Sequence, residues 1–362
     1  MKKWVTLFER FQYFHLFKDV GQIPYHVQEY SENNVEVWRK SAHSDEKSYP
    51  YEVIDISSGS SGVKISLSII KKIIREAKNI DYLNLFHFRK YSLVYAIFYK
   101  LFNSDGNVFI KCDFSHDVGL KPAGIVKKLT LKLISKLKLI DLLLIEHLPA
   151  LHFYQSYGFE CLYTPNGVAK EYYSLVQEIN KNEIPTIIFV GKCGDKRKNA
   201  EDLVRALLSI SDTCQWKVMF VGGETTEFKK WFEEATDSLP HDIVERFHFL
   251  GFITEASEMV NLYCQSHLFI MTSLSEGYPL SLAESCWCGC YPILSQGSGG
   301  NDLIDAGFAI GYQNSDDLKK KVYNSLVNIE FTLEKGRMIR SHIQESNDWR
   351  VMVKKIDARF FN

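Results

Sequence analysis

Two carboxylates, Glu276 and Glu284, stand eight positions apart in Ser275-Glu276-Gly277-Tyr278-Pro279-Leu280-Ser281-Leu282-Ala283-Glu284. Upstream, Leu268-Phe269-Ile270-Met271 is a short apolar run of the kind that forms a buried strand. The spacing puts Glu276 at that strand's C-terminal edge and Glu284 about a turn and a half into the following helix. Open α/β sheets bind ligands at this edge. Pro279 fits the first helical position, where its missing N–H costs nothing. The amides of Leu280 and Ser281, with Gly277 allowing close approach and Tyr278 beside it, form a seat for an anion. Taken alone, paired carboxylates prompt an acid/base reading of the hydrolase kind.

Cations stand where such an anion would need them. Val190-Gly191-Lys192 ends another apolar run, and Asp195-Lys196-Arg197-Lys198-Asn199 follows it. Six positions separate Lys192 from Lys198 across a loop containing Gly191, so both can reach one anion, and Arg197 can stand in for either. By themselves such clusters are usually solvated surface.

The elements that must position these residues alternate between strands and helices. In the first half the expected strands are residues 4–8, 35–38, 52–56, 82–86, 108–111, 142–145 and 161–163, with helices that include 64–78 and 92–102. In the second half they are 186–190, 217–221, 247–250, 268–271 and 292–294, with helices at 200–210, 226–235, 256–264 and 279–288. After Ser315 the chain reads as helices. Such alternation predicts doubly wound parallel sheets. A length of 362 residues predicts two domains, placed at 1–168 and 185–345 with a linker at 169–184 and a final helix within 346–362 that can pack back on the first domain. Two such domains put two sheet edges face to face across a cleft.

Hydrophobic residues make up 46%, enough for real cores, and the net charge of -1 names no partner. Its distribution says more: residues 1–170 hold 23 Lys and Arg against 17 Asp and Glu, the remainder 20 against 27. Eight scattered cysteines favour a reducing compartment. In Cys286-Trp287-Cys288-Gly289-Cys290 the spacing is not that of a zinc pair, so these read as small buried hydrophobes. No run of about 18 apolar residues predicts a transmembrane helix. A cytoplasmic protein is expected.

Together with Phe249-Leu250-Gly251-Phe252, Ser298-Gly299-Gly300-Asn301-Asp302-Leu303-Ile304 and Pro165-Asn166-Gly167-Val168, these motifs resemble the retaining glycosyltransferases of family 4, with the GT-B fold. Capsule, O-antigen and exopolysaccharide enzymes are the nearest in flavour. The resemblance implies two Rossmann-like domains with C-terminal helices, the first binding the acceptor and the second a nucleotide sugar, most simply a UDP-sugar. In it Glu284 accepts hydrogen bonds from the ribose hydroxyls, which suits a carboxylate's two acceptor oxygens. Glu276 holds the donor sugar, Lys192 and Lys198 grip the diphosphate, and Gly251 and Phe252 meet the base through backbone groups. The first of these cations is Lys where the family more often has Arg.

The first half matches the family mainly by strand order and by Lys18-Asp19-Val20-Gly21-Gln22-Ile23-Pro24-Tyr25, a variant of its first loop in which Gly21 faces the diphosphate. His116, in Ile110-Lys111-Cys112-Asp113-Phe114-Ser115-His116, matches a histidine near the reacting centre, with Asp113 competing and His87 on the acceptor side. A lone histidine is as often structural. The implied activity needs neither cofactor nor metal, and moves a hexosyl group to a saccharide or lipid-linked saccharide. A nucleotide-sugar epimerase of the same fold and a non-catalytic partner subunit are the alternatives. Lys121 to Lys138 carries six lysines and no acid, with Val126, Leu129, Leu133, Leu137 and Ile140 at helical spacing. That pattern fits either a helix lying on the inner face of a membrane or a core helix with a solvated basic face.

Overall fold

Apolar runs alternate with amphipathic ones along the chain. In the computed structural model, which describes residues 2–31, 33–40, 48–56, 65–114, 118 and 124–360, the apolar runs become the strands of two parallel sheets. In the first unit, Met1–Ala169 with Trp349–Asn362, the order along the chain is β1 (Lys3–Leu7), α1 (Asp19–Tyr30), β2 (Asn34–Lys40), β3 (Glu52–Ile56), α2 (Leu67–Glu76), β4 (Tyr82–Phe86), α3 (Lys90–Phe102), β5 (Asn107–Cys112), α4 (Ile125–Lys136), β6 (Leu142–Ile145), α5 (Leu148–Gln155) and β7 (Cys161–Tyr163). The seven strands lie in the order β3-β2-β1-β4-β5-β6-β7. Every residue of β4 and β6 is buried, because helices cover both faces of the sheet.

The second unit, Lys170–Asp348, runs α6 (Lys170–Leu175), β8 (Thr186–Val190), α7 (Ala200–Leu208), β9 (Lys217–Val221), α8 (Thr226–Thr236), α9 (His241–Val244), β10 (Phe247–Gly251), α10 (Ala256–Gln265), β11 (Leu268–Met271), α11 (Leu280–Trp287), β12 (Tyr291–Ser295), α12 (Asn301–Asp305), β13 (Ile310–Tyr312), α13 (Ser315–Val327) and α14 (Ile329–Ser346). Its strand order is β10-β9-β8-β11-β12-β13. The chain reverses its direction of travel across this sheet between β8 and β11, so the loops after those two strands flank the switch point where such sheets take ligands.

Several elements differ from expectation. Residues 18–25, expected as a loop, lie mostly in α1, with Pro24 inside it. The helix persists because Val20, Ile23 and Val27 are buried in a core shared with the last helix, α15 (Trp349–Phe360), and packing outweighs weak local propensity. Part of 169–184, expected as a linker, forms α6, which packs against α10 in the second unit. Pro279 caps α11 instead of opening it. β13 and α12 were not foreseen. Cys286, Cys288 and Cys290 are buried. No helix among the described residues is long and apolar enough to cross a membrane.

α15 belongs to the first unit's core: Trp349, Met352, Val353 and Ile356 are each at most 2% exposed there. Burial of such side chains contributes about 2 kcal/mol each, together comparable to a domain's whole margin of stability. A chain ending at Asp348 should therefore lose the cooperative unfolding of its first unit while the second unit still melts as one. Differential scanning calorimetry tests this; a first-unit transition within a few degrees of the full chain's would refute it.

Candidate active site

Three loops meet at the C-terminal edge of the second sheet. After β8, the carbonyl of Asp195 accepts from the amides of Lys198 (2.9 Å) and Asn199 (3.0 Å), and its carboxylate accepts from the Arg197 amide (2.8 Å). Asn199, in the left-handed region at φ 50°, then leads into α7. The carbonyls of Arg197 and Lys198 accept from the Leu274 amide (2.8 Å) and the Thr272 hydroxyl (2.7 Å), which ties this turn to the loop after β11. The Glu276 amide donates to Gly297 in the loop after β12 at 2.8 Å. A side chain at Gly297 would place its Cβ 2.1 Å from the Leu274 carbonyl oxygen, so the crossing requires glycine.

This stitching sets one carboxylate between two cations. Glu276 Oε2 lies 2.5 Å from Arg197 Nη1, and Oε1 lies 2.8 Å from Lys198 Nζ. The Lys198 stem crosses Gly191, where a Cβ would stand 3.0 Å from Lys198 Cδ. Gly191 thus makes room for the lysine. Lys192 is exposed and makes no ion pair among the described residues, so the structure gathers Arg197 and Lys198, and not Lys192, at Glu276.

The start of α11 is open. Pro279 offers no side-chain cap, and its carbonyl takes the amides of Leu282 (3.2 Å) and Ala283 (3.5 Å). The amides of Leu280 and Ser281 donate to no described backbone group, as is usual in the first turn of a helix. Tyr278 is buried, while Gly277 is partly exposed. Deeper in the helix, Glu284 accepts from the Tyr263 hydroxyl at 3.3 Å and from that of Tyr172. Burial pushes its carboxyl up to about 7, against the opposing pull of the two phenols. Two vicinal hydroxyls are a fitting partner for the ionised form.

Beside β8, Gly222 lies so close to Gly191 that a Cβ would stand 2.4 Å from the Gly191 oxygen. Its amide donates to Gly251, at the end of β10, at 2.8 Å. Gly251 takes φ 68° with open space where a Cβ would be. Phe252 is 80% exposed, its ring edge 3.0 Å from the Cβ position of Gly223. The strand end therefore presents an uncovered ring beside glycines.

In the first unit, the close approach Gly21 permits is to its own chain. A Cβ there would stand 2.4 Å from Leu16 Cα, and the Gly21 carbonyl accepts from the Tyr51 hydroxyl (3.2 Å). The space Gly21 leaves is thus taken up by the turn that precedes α1, at His15 and Leu16. His87 and Asp113, considered separately from the sequence, form a pair at the C-terminal ends of β4 and β5, with Nδ1 2.5 Å from Oδ1. Burial alone would raise the Asp113 carboxyl; the hydrogen bond and charge of His87 outweigh it and hold it below its usual value. His87 sits at φ 62°, held by its amide to the Lys111 carbonyl (2.8 Å) and by the Ser92 hydroxyl on its own carbonyl (2.7 Å). A non-glycine residue there is strained, a condition common at functional positions. Behind the pair, Lys111 and Glu146 form a fully buried ion pair at 2.5 Å. His116 lies outside the described residues.

Residues 184–328 match the family model described as glycosyl transferases group 1. HepE of Anabaena, solved with UDP, superposes at TM-score 0.71 and 14% identity, covering 99% of each chain. The lipopolysaccharide outer core galactosyltransferase WaaB does so at 0.70 and 17%, over 100% of this chain and 99% of that one. Sucrose-phosphate synthase from Thermosynechococcus elongatus gives 0.70 at 14%, over 100% and 98%. The chain is a glycosyltransferase of the GT-B fold.

Two residues of this glycosyltransferase's candidate site, both bonded to Glu284, escaped the sequence. Tyr172 falls in the expected linker and Tyr263 reads as an ordinary core position of α10. Tyr172 reaches Glu284 because α6 is pinned to the second unit, with the Tyr173 ring stacked on Trp287 at 5.0 Å and its hydroxyl on Asp348 at 2.9 Å. No local pattern marks either phenol.

The raised carboxyl of Glu284 has a definite sign. Between the unfolded value near 4.5 and the folded value of about 7, the native state holds a proton that the unfolded state has released. The contribution is fully present below 4.5 and is lost as pH rises through 7. Glu284→Gln cannot ionise, so relative to wild type it should gain stability above pH 7, by up to about 3 kcal/mol, and little at pH 4 to 5. Chemical denaturation across this range tests it; a pH-independent difference would remove the assignment.

Proposed function

We propose that this glycosyltransferase moves a hexosyl group, with retention of configuration and without a metal, from a nucleoside-diphosphate sugar to a hydroxyl of a saccharide or lipid-linked saccharide in cell-surface polysaccharide synthesis. The observation that carries the reading is the Arg197–Glu276–Lys198 cluster beside the open amides of α11 at the switch point of the second sheet. A UDP-sugar donor is supported by HepE, solved with UDP and with UDP-glucose. A study of trehalose-6-phosphate synthase describes glycosyl transfer with retention, and WaaB acts on the lipopolysaccharide outer core.

As the bond from the anomeric carbon to the diphosphate oxygen breaks, positive charge grows on the sugar and negative charge on the leaving group. Lys198, Arg197 and Lys192 with the amides of Leu280 and Ser281 stabilise the leaving diphosphate, the task a metal serves elsewhere. Glu276, fixed by its two cations, orients the sugar hydroxyls. Glu284 takes the ribose hydroxyls. The acceptor oxygen forms its bond on the face the diphosphate leaves, and the leaving phosphate oxygen takes the acceptor's proton. The first unit recognises the acceptor, with His87 and Asp113 as its polar pair.

Lys198→Ala and Glu276→Ala should each lower kcat/KM for transfer from the UDP-sugar by about a hundredfold to a thousandfold, the usual cost of one preorganised electrostatic group. Near wild-type rates in both would overturn the site. UDP should raise the melting temperature of wild type by mass action and do so much less in Lys198→Ala. Isomerised sugar released from donor alone would mark an epimerase instead.

A further inference from the structure

α4 turns the wrong face to the protein. Leu131 is buried, Ile134 packs partly on the first unit's core, and the Ser135 hydroxyl donates to Gly158 at 2.7 Å. Those contacts define its inner side. On the outer side Ile125 and Val126 are each 75% exposed, Leu129 66%, Leu133 58% and Leu137, just past the helix, 57%. At about 100° per residue, positions 125, 129, 133 and 137 with 126 alongside form one stripe roughly opposite Leu131. Lys128, Lys132 and Lys136 run along one border of it.

A helix of a soluble domain ordinarily buries its apolar stripe. Single exposed apolar residues are common, but a continuous row of five marks a contact surface. Charge selects the occupant. Residues 121–138 carry six lysines and no acid. Two copies meeting through α4 would therefore press lysines together with no carboxylate from the segment to pair them. An anionic lipid surface satisfies both parts, taking apolar side chains between its headgroups and lysines on its phosphates. Long lysine stems reach the headgroup level from the edge of the stripe.

We propose that α4 docks this glycosyltransferase on an anionic membrane surface, with Ile125, Val126, Leu129, Leu133 and Leu137 in the interface and Lys128, Lys132 and Lys136 on lipid phosphates. The proposal does not depend on the reaction assigned above. Flotation of the full chain with vesicles of phosphatidylcholine alone, and of equal parts phosphatidylcholine and phosphatidylglycerol, tests it. Binding should occur with the anionic vesicles, weaken with salt, and be absent or marginal on the zwitterionic ones. Leu129→Ser with Leu133→Ser should reduce the partition constant about tenfold or more, and each of Lys128→Ala, Lys132→Ala and Lys136→Ala by about fivefold. All these side chains are exposed, so melting temperatures should stay unchanged, which separates lost docking from lost folding. Absence of wild-type binding at low salt, or undiminished binding by the double serine variant, overturns the proposal. So does a concentration-dependent dimer in sedimentation that the double serine variant abolishes, since a second copy would then cover the stripe.

Discussion

Glu276 holds Arg197 and Lys198 at once, and the geometry of the candidate site depends on that contact. A parallel sheet delivers its strand ends to one edge but leaves the loops beyond them unpaired, so their conformation must come from contacts among themselves. Here the backbone of Arg197 and Lys198 is bonded to the loop carrying Glu276, whose amide is bonded in turn to the loop after β12. Side-chain charge and backbone hydrogen bonds select the same arrangement. The cations are therefore fixed by the protein's own contacts, and the proposed reaction would need little reorganisation of them. At Gly297 this crowding leaves no room for a side chain, and at Gly191 the space is filled by the Lys198 stem.

Glu284 solves the opposite problem. Among the described residues it pairs with two phenols and no cation, and burial moves its carboxyl towards neutrality. Such a group weakens the fold at neutral and higher pH. The two acids at the ends of one short segment thus differ in kind: one is paired with cations, and the other with phenols. Neither resembles a hydrolase pair, whose carboxylates flank a single scissile bond.

The first unit shows how packing decides what a segment becomes. α15 returns to it and holds α1 in place despite a glycine and a proline near the start of that helix. The pairing of His87 with Asp113 follows from β4 and β5 being neighbours in register, which brings residues 26 positions apart within hydrogen-bonding distance. α4, by contrast, is held by few contacts and keeps its apolar stripe outside.

Local patterns carried much of this protein. The strands read from apolar runs, the helices read from spacing, and the Ser-Glu-Gly-x-Pro context together with the basic loop after β8 pointed to the candidate site, because strand ends and helix starts are set by nearby residues. What the pattern left open was decided by contacts distant in sequence. It offered Lys192, Arg197 and Lys198 as cations; only the crossing of three loops selected Arg197 and Lys198 for Glu276. It could not show Tyr172 and Tyr263 on Glu284, since they arrive from two separate helices. It marked α4 as amphipathic, yet periodicity is the same whichever face turns inward. Local residue order determined most of the elements and which chemistry they carry, whereas the remaining elements, the partner of each charged group and the side of each helix that meets water were settled by long-range packing.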